Sequence, residues 1–403
     1  MGIDNIILEQ DENSRILIID DNVKNLQVLG GFLHNEGYSV EFALDGNSAL
    51  DWISRNSFDL VLLDIMMPGI DGYEVCRAVK KEEKNKDLPL IFLTAKIDHE
   101  SVIEGFEAGA VDYITKPFIK DELLARVRTH LEIKKSRDRL AEYLGVIEEK
   151  SRNITASIEY AKNIQEAMLK TSLEFKELIP EHFILYLPKD IVSGDFYWFT
   201  CIDNLIVIAV MDCTGHGVPG ALMSTLGITL LNETVLREKI LRPDLILENL
   251  RAKLIKTLSQ KGYPGIIKDG IEGSVFCFDT FMNHFHYSGS CNSMIIIHEG
   301  ELQEIKPQRI PIGYSDKEVD FENVSLSLSK NDLVYMFSDG YLDQFGGPEA
   351  KTKRFMIKRF KEILMANQTL PLEQQREILL SELLAWKGDS DQTDDILVLG
   401  IRF

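Results

Sequence analysis

Aspartates that close apolar runs are the residues most able to do chemistry in this sequence. In "IVIAVMDCTGHGVPGALMS", Ile206 to Ser224, an apolar run meets Asp212, and three glycines and a proline follow within nine residues. Asp195 stands in "SGDFYW", Asp339 in "FSDG", and Asp394 with Asp395 in "TDDI". One strand leaves Asp195 through "FYWFT", turns at Ile202-Asp203-Asn204 and returns to Asp212, so both acids share one end of a hairpin. "DLVYMFSDGYLD" reads as a strand ending at Asp339, and Asp394-Asp395 precede the last strand. Four strand-end carboxylates can converge on one edge of a β-sandwich. With no Cys or His pair nearby, they suit magnesium or manganese rather than zinc. A bridging Asp could hold two such ions about 3.5–4 Å apart and clamp an in-line phosphoryl displacement, with a water between them as nucleophile. A strand positions such a ligand rigidly. The glycines let the backbone approach the ions and free the carbonyl after Asp212 as a ligand.

A second constellation lies in the N-terminal part. Asp20-Asp21 follow "RILII", Asp64 ends "FDLVLLD", Thr94 ends "LPLIFLT", and Lys116-Pro117 follow "VDYIT". Three converging carboxylates repel one another unless a hard cation such as magnesium binds them. Asp64 can then attack a phosphoryl donor, while Thr94 and Lys116 hold the phosphoryl oxygens.

The elements that must position these residues form three segments. Residues 14–130 alternate strand patterns with helix patterns such as "VKNLQVLGGFLHN" and "GYEVCRAVKKEE". That rhythm predicts an α/β doubly wound domain with a five-stranded parallel sheet, whose functional crevice lies beyond the carboxyl ends of its strands. Residues 131–176 contain no proline and one glycine. Ile133, Arg137, Leu140, Leu144, Ile147, Ser151, Ile154, Ile158, Ala161, Gln165 and Met168 alternate steps of four and three, predicting a long coiled-coil helix and a parallel homodimer. Arg137, Ser151 and Gln165 weaken that seam, fixing register or leaving it switchable. Residues 180–403 predict an α+β β-sandwich flanked by helices.

Composition narrows the function classes. The 403 residues are 45% hydrophobic and 27% charged, enough for two or three domains. A net charge of −20 with no basic stripe disfavours nucleic acid. No apolar run approaches the roughly 18 residues of a membrane span. "MGIDNIILEQDENS" lacks the pattern of a secretion signal, and Ile6 opposes myristoylation. Five cysteines without CxxC spacing fit reduced thiols in the cytoplasm.

"IDD", "LLDIMMPGIDGYEV", "LTA" and "ITKPF" make residues 14–130 resemble the CheY-like receiver domain of response regulators. The resemblance implies that a sensor histidine kinase phosphorylates Asp64. It also implies that Asp20, Asp21, Asp64 and the Met66 carbonyl bind Mg2+, and that Thr94 and Tyr113 form the switch pair. "SGDFYW", "DCTGHGVPG", "FSDG" and "TDDI" in this order resemble the PPM-type serine/threonine phosphatases of the SpoIIE/RsbU branch. That resemblance implies two Mn2+ or Mg2+ ions bridged by Asp212. The Cys213 carbonyl would lie on one ion, Asp339 and Asp394 on the other, Asp195 beside them and Asp395 as a neighbour. Its substrate would be a phosphorylated STAS-domain anti-sigma-factor antagonist. "SIEYAKNIQEAML" resembles the stretch before the phosphatase domain in such regulators.

Two departures bear on the mechanism. His216 is spaced two residues off the "DGHG" of eukaryotic relatives, which favours a turn histidine with a structural hydrogen bond over a general acid. "DGIEG", Asp269 to Gly273, places Glu272 where an Asp is usual in the branch. Cys213 lacks the CxxxxxR loop of a thiol nucleophile. The alternative to a phosphatase is a phospho-dependent scaffold with a non-catalytic domain.

Overall fold

The computed structural model describes residues 14–95, 99–170, 172–260, 269–281, 284–315, 319–347 and 353–403; the N-terminal stretch read above for a leader lies outside them. The chain divides into two compact units, Met1–Ser151 and Arg152–Phe403.

In the first unit β1 (Arg15–Ile19), α1 (Val23–His34), β2 (Ser39–Ala43), α2 (Gly46–Arg55), β3 (Leu60–Asp64), α3 (Gly72–Lys81), β4 (Leu90–Thr94), α4 (His99–Glu107) and β5 (Asp112–Thr115) alternate, followed by α5 (Lys120–Met168). The strands lie in the order β2-β1-β3-β4-β5, all parallel. Alternate residues of each strand enter different cores. Leu17, Ile19, Val61 and Leu63 pack with Ile53 of α2 and Val75 and Val79 of α3. Ile16, Ile18, Leu60 and Leu62 pack with Leu26 and Leu29 of α1 and Leu123 and Val127 of α5. Burial on both faces is why these strands read as continuous apolar runs. Asp71 caps α3 in a reciprocal capping box with Glu74. The doubly wound sheet expected from the sequence is present, and its crevice lies where the strand order reverses, between β1 and β3.

The long helix starts earlier than the expected 131. Leu123, Leu124, Val127 and Leu131 are buried, so its first turns belong to the sheet's core. Ile133, Leu140, Leu144, Ile147 and Ile154 of the expected seam are exposed along one helix face. The seam ends before Gln165, which is 5% exposed and leaves the stripe for a polar contact described below.

The second unit holds α6 (Ser172–Leu178), β6 (His182–Leu187), β7 (Phe196–Ile202), β8 (Leu205–Cys213), α7 (Gly217–Leu231), α8 (Pro243–Thr257), β9 (Ile271–Asp279), β10 (His284–Ser290), β11 (Met294–His298), β12 (Glu301–Ile305), β13 (Val324–Ser327), β14 (Leu333–Phe337), α9 (Gly340–Asp343), the two-residue strands β15 (Phe345–Gly346) and β16 (Lys353–Arg354), α10 (Met356–Asn367), α11 (Leu372–Lys387) and β17 (Ile396–Arg402). Two antiparallel sheets, β13-β10-β9-β8-β7 and β12-β11-β14-β17-β6, face each other. Ile208 and Val210 of β8, Phe276 of β9, Val334 and Met336 of β14, and Leu397 and Leu399 of β17 fill the space between them. The alternate residues turn outward. Val207, Ala209 and Met211 meet α7 and α8 through Ile228, Ile246 and Leu250. Leu333, Tyr335 and Phe337 meet α10 and α11 through Phe360, Leu379 and Leu383. This period-two division between two cores makes the expected helix-flanked sandwich.

Candidate functional site

The receiver rim assembles as its strand ends require. Asp20, fully buried beyond β1, accepts from the Asn22 amide at 2.8 Å and from Asn25 Nδ2 at 2.9 and 3.0 Å. Lys116 Nζ, beyond β5, donates to Asp20 Oδ2 at 2.8 Å and Asp64 Oδ2 at 2.7 Å. Burial pushes the Asp64 carboxyl above its usual range, Lys116 opposes the rise, and the charge of Asp20 adds to it. Burial also works against the Lys116 ammonium, but its bonds to Asp20 and Asp64 leave its pKa raised. Asp20, Asp21 and Asp64 are the group among the described residues whose ligand atoms all lie within 4.8 Å of one another. That all-oxygen set fits a hard divalent cation. The amide of Met66 lies 3.4 Å from Asp64 Oδ1, and its side chain is exposed. Thr94, buried at the end of β4, and Tyr113 of β5 line one cleft with Phe92, Gly105 and Phe106. The Arg126 guanidinium lies 5.8 Å over the Tyr113 ring while binding Asp112 with both oxygens, at 2.7 and 2.9 Å.

In the second unit the acids gather where the inter-sheet core opens to solvent. Asp212 continues the row Ile208, Val210 on β8, and Ser338-Asp339 continue β14. The side chains of Asp212 and Asp339 are within hydrogen-bonding reach of each other. Asp195, 2% exposed, bonds Ser338, and its charge acts on Asp212. Burial, then the neighbouring carboxylates, push Asp195 and Asp212 well above the usual carboxylate range. Asp339 is pushed up to about 6 by burial among Asp343, Asp394 and Glu272, although its side chain reaches solvent at the mouth. Asp394 is exposed and accepts from the Asp395 amide at 2.9 Å. These acids are not gathered as tightly as the receiver's three. Uncompensated carboxylates repel, and among the described residues no lysine is interposed here as Lys116 is in the receiver. One oxygen of Asp195, Oδ2, is buried with no hydrogen-bond partner. A buried carboxylate oxygen without a donor is costly, so the donor set fits cations that would supply the missing partner.

The glycines let backbone segments around the site pack closely. Gly215 has φ +89°, and a Cβ at either Gly194 or Gly220 would collide with the Gly215 carbonyl. They let the turn after β8 press onto the "SGD" loop and the start of α7. Cys213 is buried, and burial with the charge of Asp212 pushes its thiol up, away from nucleophilic use. Its carbonyl borders Gly194, where a Cβ would lie 3.2 Å from it. His216 Nδ1 meets Asp190 Oδ2 at 2.6 Å, both side chains half-exposed.

Two supporting residues escaped the sequence reading. Asp395 clamps the loop before Asp195, accepting from Lys189 N and Gly194 N, each at 2.7 Å. Only its place beside Asp394 hinted at a role. Gln165 is no seam residue. Its Nε2 donates to Ser193 O at 2.6 Å and Ser224 Oγ at 2.8 Å, and its Oε1 accepts from Ser193 N at 3.1 Å. The last turns of α5 thereby grip both the "SGD" loop and α7. A polar residue at a regular apolar position was the only signal.

Comparison with known families agrees with this architecture. A model of the response regulator receiver domain matches residues 16–128, and one of stage II sporulation protein E (SpoIIE) matches residues 203–403. Among solved structures, the SiaA-PP2C domain of Pseudomonas aeruginosa is 31% identical with a TM-score of 0.57, over 63% of this chain and 98% of that one. The chemotaxis response regulator CheY4 of Vibrio cholerae is 31% identical with a TM-score of 0.29, over 29% of this chain and 98% of that one. The receiver domain of Francisella response regulator 1452 is 36% identical with a TM-score of 0.28, over 30% and 98%. The chain belongs to the response regulators in which a CheY-like receiver domain is fused to a PPM-type domain of the SpoIIE branch.

Proposed function

We propose that this chain is a two-component response regulator whose output is metal-dependent hydrolysis of phosphoserine or phosphothreonine on a partner protein. The observation that carries the proposal is the meeting of Asp212 and Asp339 at the mouth of the sandwich, beside the unpartnered oxygen of Asp195. Asp212, Asp339, Asp394 and the Cys213 carbonyl would hold two Mn2+ or Mg2+ ions, with Asp195 supporting them. When bound, those ions would supply an activated water and neutralise the phosphoryl oxygens. Asp395 and Gln165 hold the "SGD" loop so that Asp195 keeps its place. In the receiver, Asp64 is the phospho-acceptor, Asp20, Asp21, Asp64 and the Met66 carbonyl would hold Mg2+, Lys116 and Thr94 hold the phosphoryl group, and Thr94 with Tyr113 reports it. The partners are a sensor histidine kinase and a phosphorylated STAS-type anti-sigma-factor antagonist, in the cytoplasm. No helix among the described residues is long and apolar enough to cross a membrane.

The functional divisions are the receiver at 14–130, the helical linker at 131–176 and the phosphatase at 180–403. The exposed stripe Ile133, Leu140, Leu144, Ile147 and Ile154 supports a homodimer through the linker, because an apolar stripe at this spacing is stable only when covered. Phosphate release from a phospho-STAS protein, with and without acetyl phosphate, tests the reading for wild type and Asp64→Ala. Response to acetyl phosphate in the wild type alone supports it. Substrate binding without turnover at saturating Mn2+ would leave a scaffold instead.

A further inference from the structure

Glu272 is a carboxylate at the mouth that the site described above does not use. It stands directly opposite Asp212 in the antiparallel register of β8 and β9. Paired residues of antiparallel strands project from the same face with Cβ atoms about 4.5–5.5 Å apart, and like charges placed so destabilise the sheet. Period two puts Glu272, Ser274 and Phe276 on the inter-sheet face, so Glu272 faces the gap that Asp212 and Asp339 face. Its charge acts on both of them. Among the described residues, the charged side chains that act most on Asp212 and Asp339 are carboxylates. The independent sign of a missing ligand is Asp195 Oδ2, buried without a partner and belonging to the carboxylate whose charge acts most on Asp212. The thiol of Cys291, a residue at φ +62°, is within hydrogen-bonding reach of the Glu272 carboxylate.

We propose that Glu272 is a ligand of a hard divalent cation shared with Asp212, so that the cation site is built from both faces of the β8–β9 ladder. The inference rests on the cation site of the proposed function and adds a residue to it. A cation between the two carboxylates converts a repulsive cross-strand pair into a bridged one. The longer arm of a glutamate suits a position at the half-exposed rim.

Mn2+ binding to the full chain carrying Asp64→Asn, which removes the receiver's site from the count, is followed by electron paramagnetic resonance of free Mn2+. Glu272→Gln weakens binding at one ion about tenfold or more, the size seen when groups around a metal are removed. Cys291→Ala leaves affinity unchanged, and the metal-free melting temperature of Glu272→Gln holds or rises as the repulsion is relieved. Unchanged Mn2+ affinity in Glu272→Gln overturns the proposal. So does equal weakening by Cys291→Ala, or a metal-free Glu272→Gln that melts lower or fails to fold, since each assigns Glu272 a structural role. Asp212→Asn separates the two readings. If it abolishes binding while Glu272→Gln does not, only this inference falls; if neither alters Mn2+ binding, the cation site itself is absent.

Discussion

Replacing Gln165 with Ala probes how the last turns of α5 are held within the second unit. Wild type satisfies the Ser193 amide, the Ser193 carbonyl and Ser224 Oγ with one side chain. In the variant Ser193 O keeps Ser224 Oγ at 3.3 Å, and Ser224 Oγ keeps Ala221 O at 3.0 Å. The Ser193 amide, in a residue with no exposed surface, keeps nothing. An orphaned buried donor costs about 1–3 kcal/mol, and each of the two further lost bonds about 0.5–1.5 kcal/mol. The expected loss is therefore about 2–6 kcal/mol in the second unit alone, roughly 30- to 20,000-fold in its folding equilibrium. The chain has three tryptophans, Trp52 in the receiver and Trp198 and Trp386 in the second unit. In a Trp52→Phe background, fluorescence through a urea titration reads only the second unit. A fall in its midpoint at unchanged slope gives the loss. A change below about 0.5 kcal/mol would show that the bonds are replaced by water and that Gln165 is no anchor.

Asp395→Ala removes the acceptor of Lys189 N and Gly194 N and should destabilise the second unit by about 2–4 kcal/mol, read by the same titration. In chelator, the second unit should lose stability as pH rises. Asp195, Asp212 and Asp339 keep protons when folded that the unfolded chain sheds near pH 4, so the unfolded state binds fewer protons and stability falls as pH rises from about 4, through about 6 for Asp339. Melting temperatures against pH check this, and added Mn2+ should flatten the curve. Asp64→Asn should abolish phosphoryl uptake from acetyl phosphate, seen by intact mass, while the receiver remains folded because Lys116 keeps Asp20. Leu144→Lys with Ile147→Lys should turn a dimer into a monomer in sedimentation, both residues being exposed in the stripe.

The receiver's rim was legible because Asp20, Asp64, Thr94 and Lys116 sit at or one step beyond the end of a strand, where an apolar run gives way to a polar residue. The second unit was legible at its strand ends for the same reason. What escaped is what depends on long-range approach. Asp395 reaches a loop some two hundred positions earlier, and Gln165 leaves a regular heptad to bind Ser193. Periodicity records which face a residue occupies but not which element covers it, so Gln165 and Leu140 looked alike in the seam although one is buried and the other exposed. The glycines after Asp212 were readable as a tight turn. The close approach of the Gly215 carbonyl to Gly194 and Gly220 is visible only in the fold.

The most direct measurement is Mn2+-dependent phosphate release from a phosphoserine peptide by the full chain, with bound Mn2+ counted in the same samples. The two-cation site predicts turnover that rises with occupancy in the wild type and falls at least about a thousandfold in Asp212→Asn, the scale on which a single essential catalytic group acts. Full occupancy without phosphate release, or equal turnover in wild type and Asp212→Asn, would contradict it.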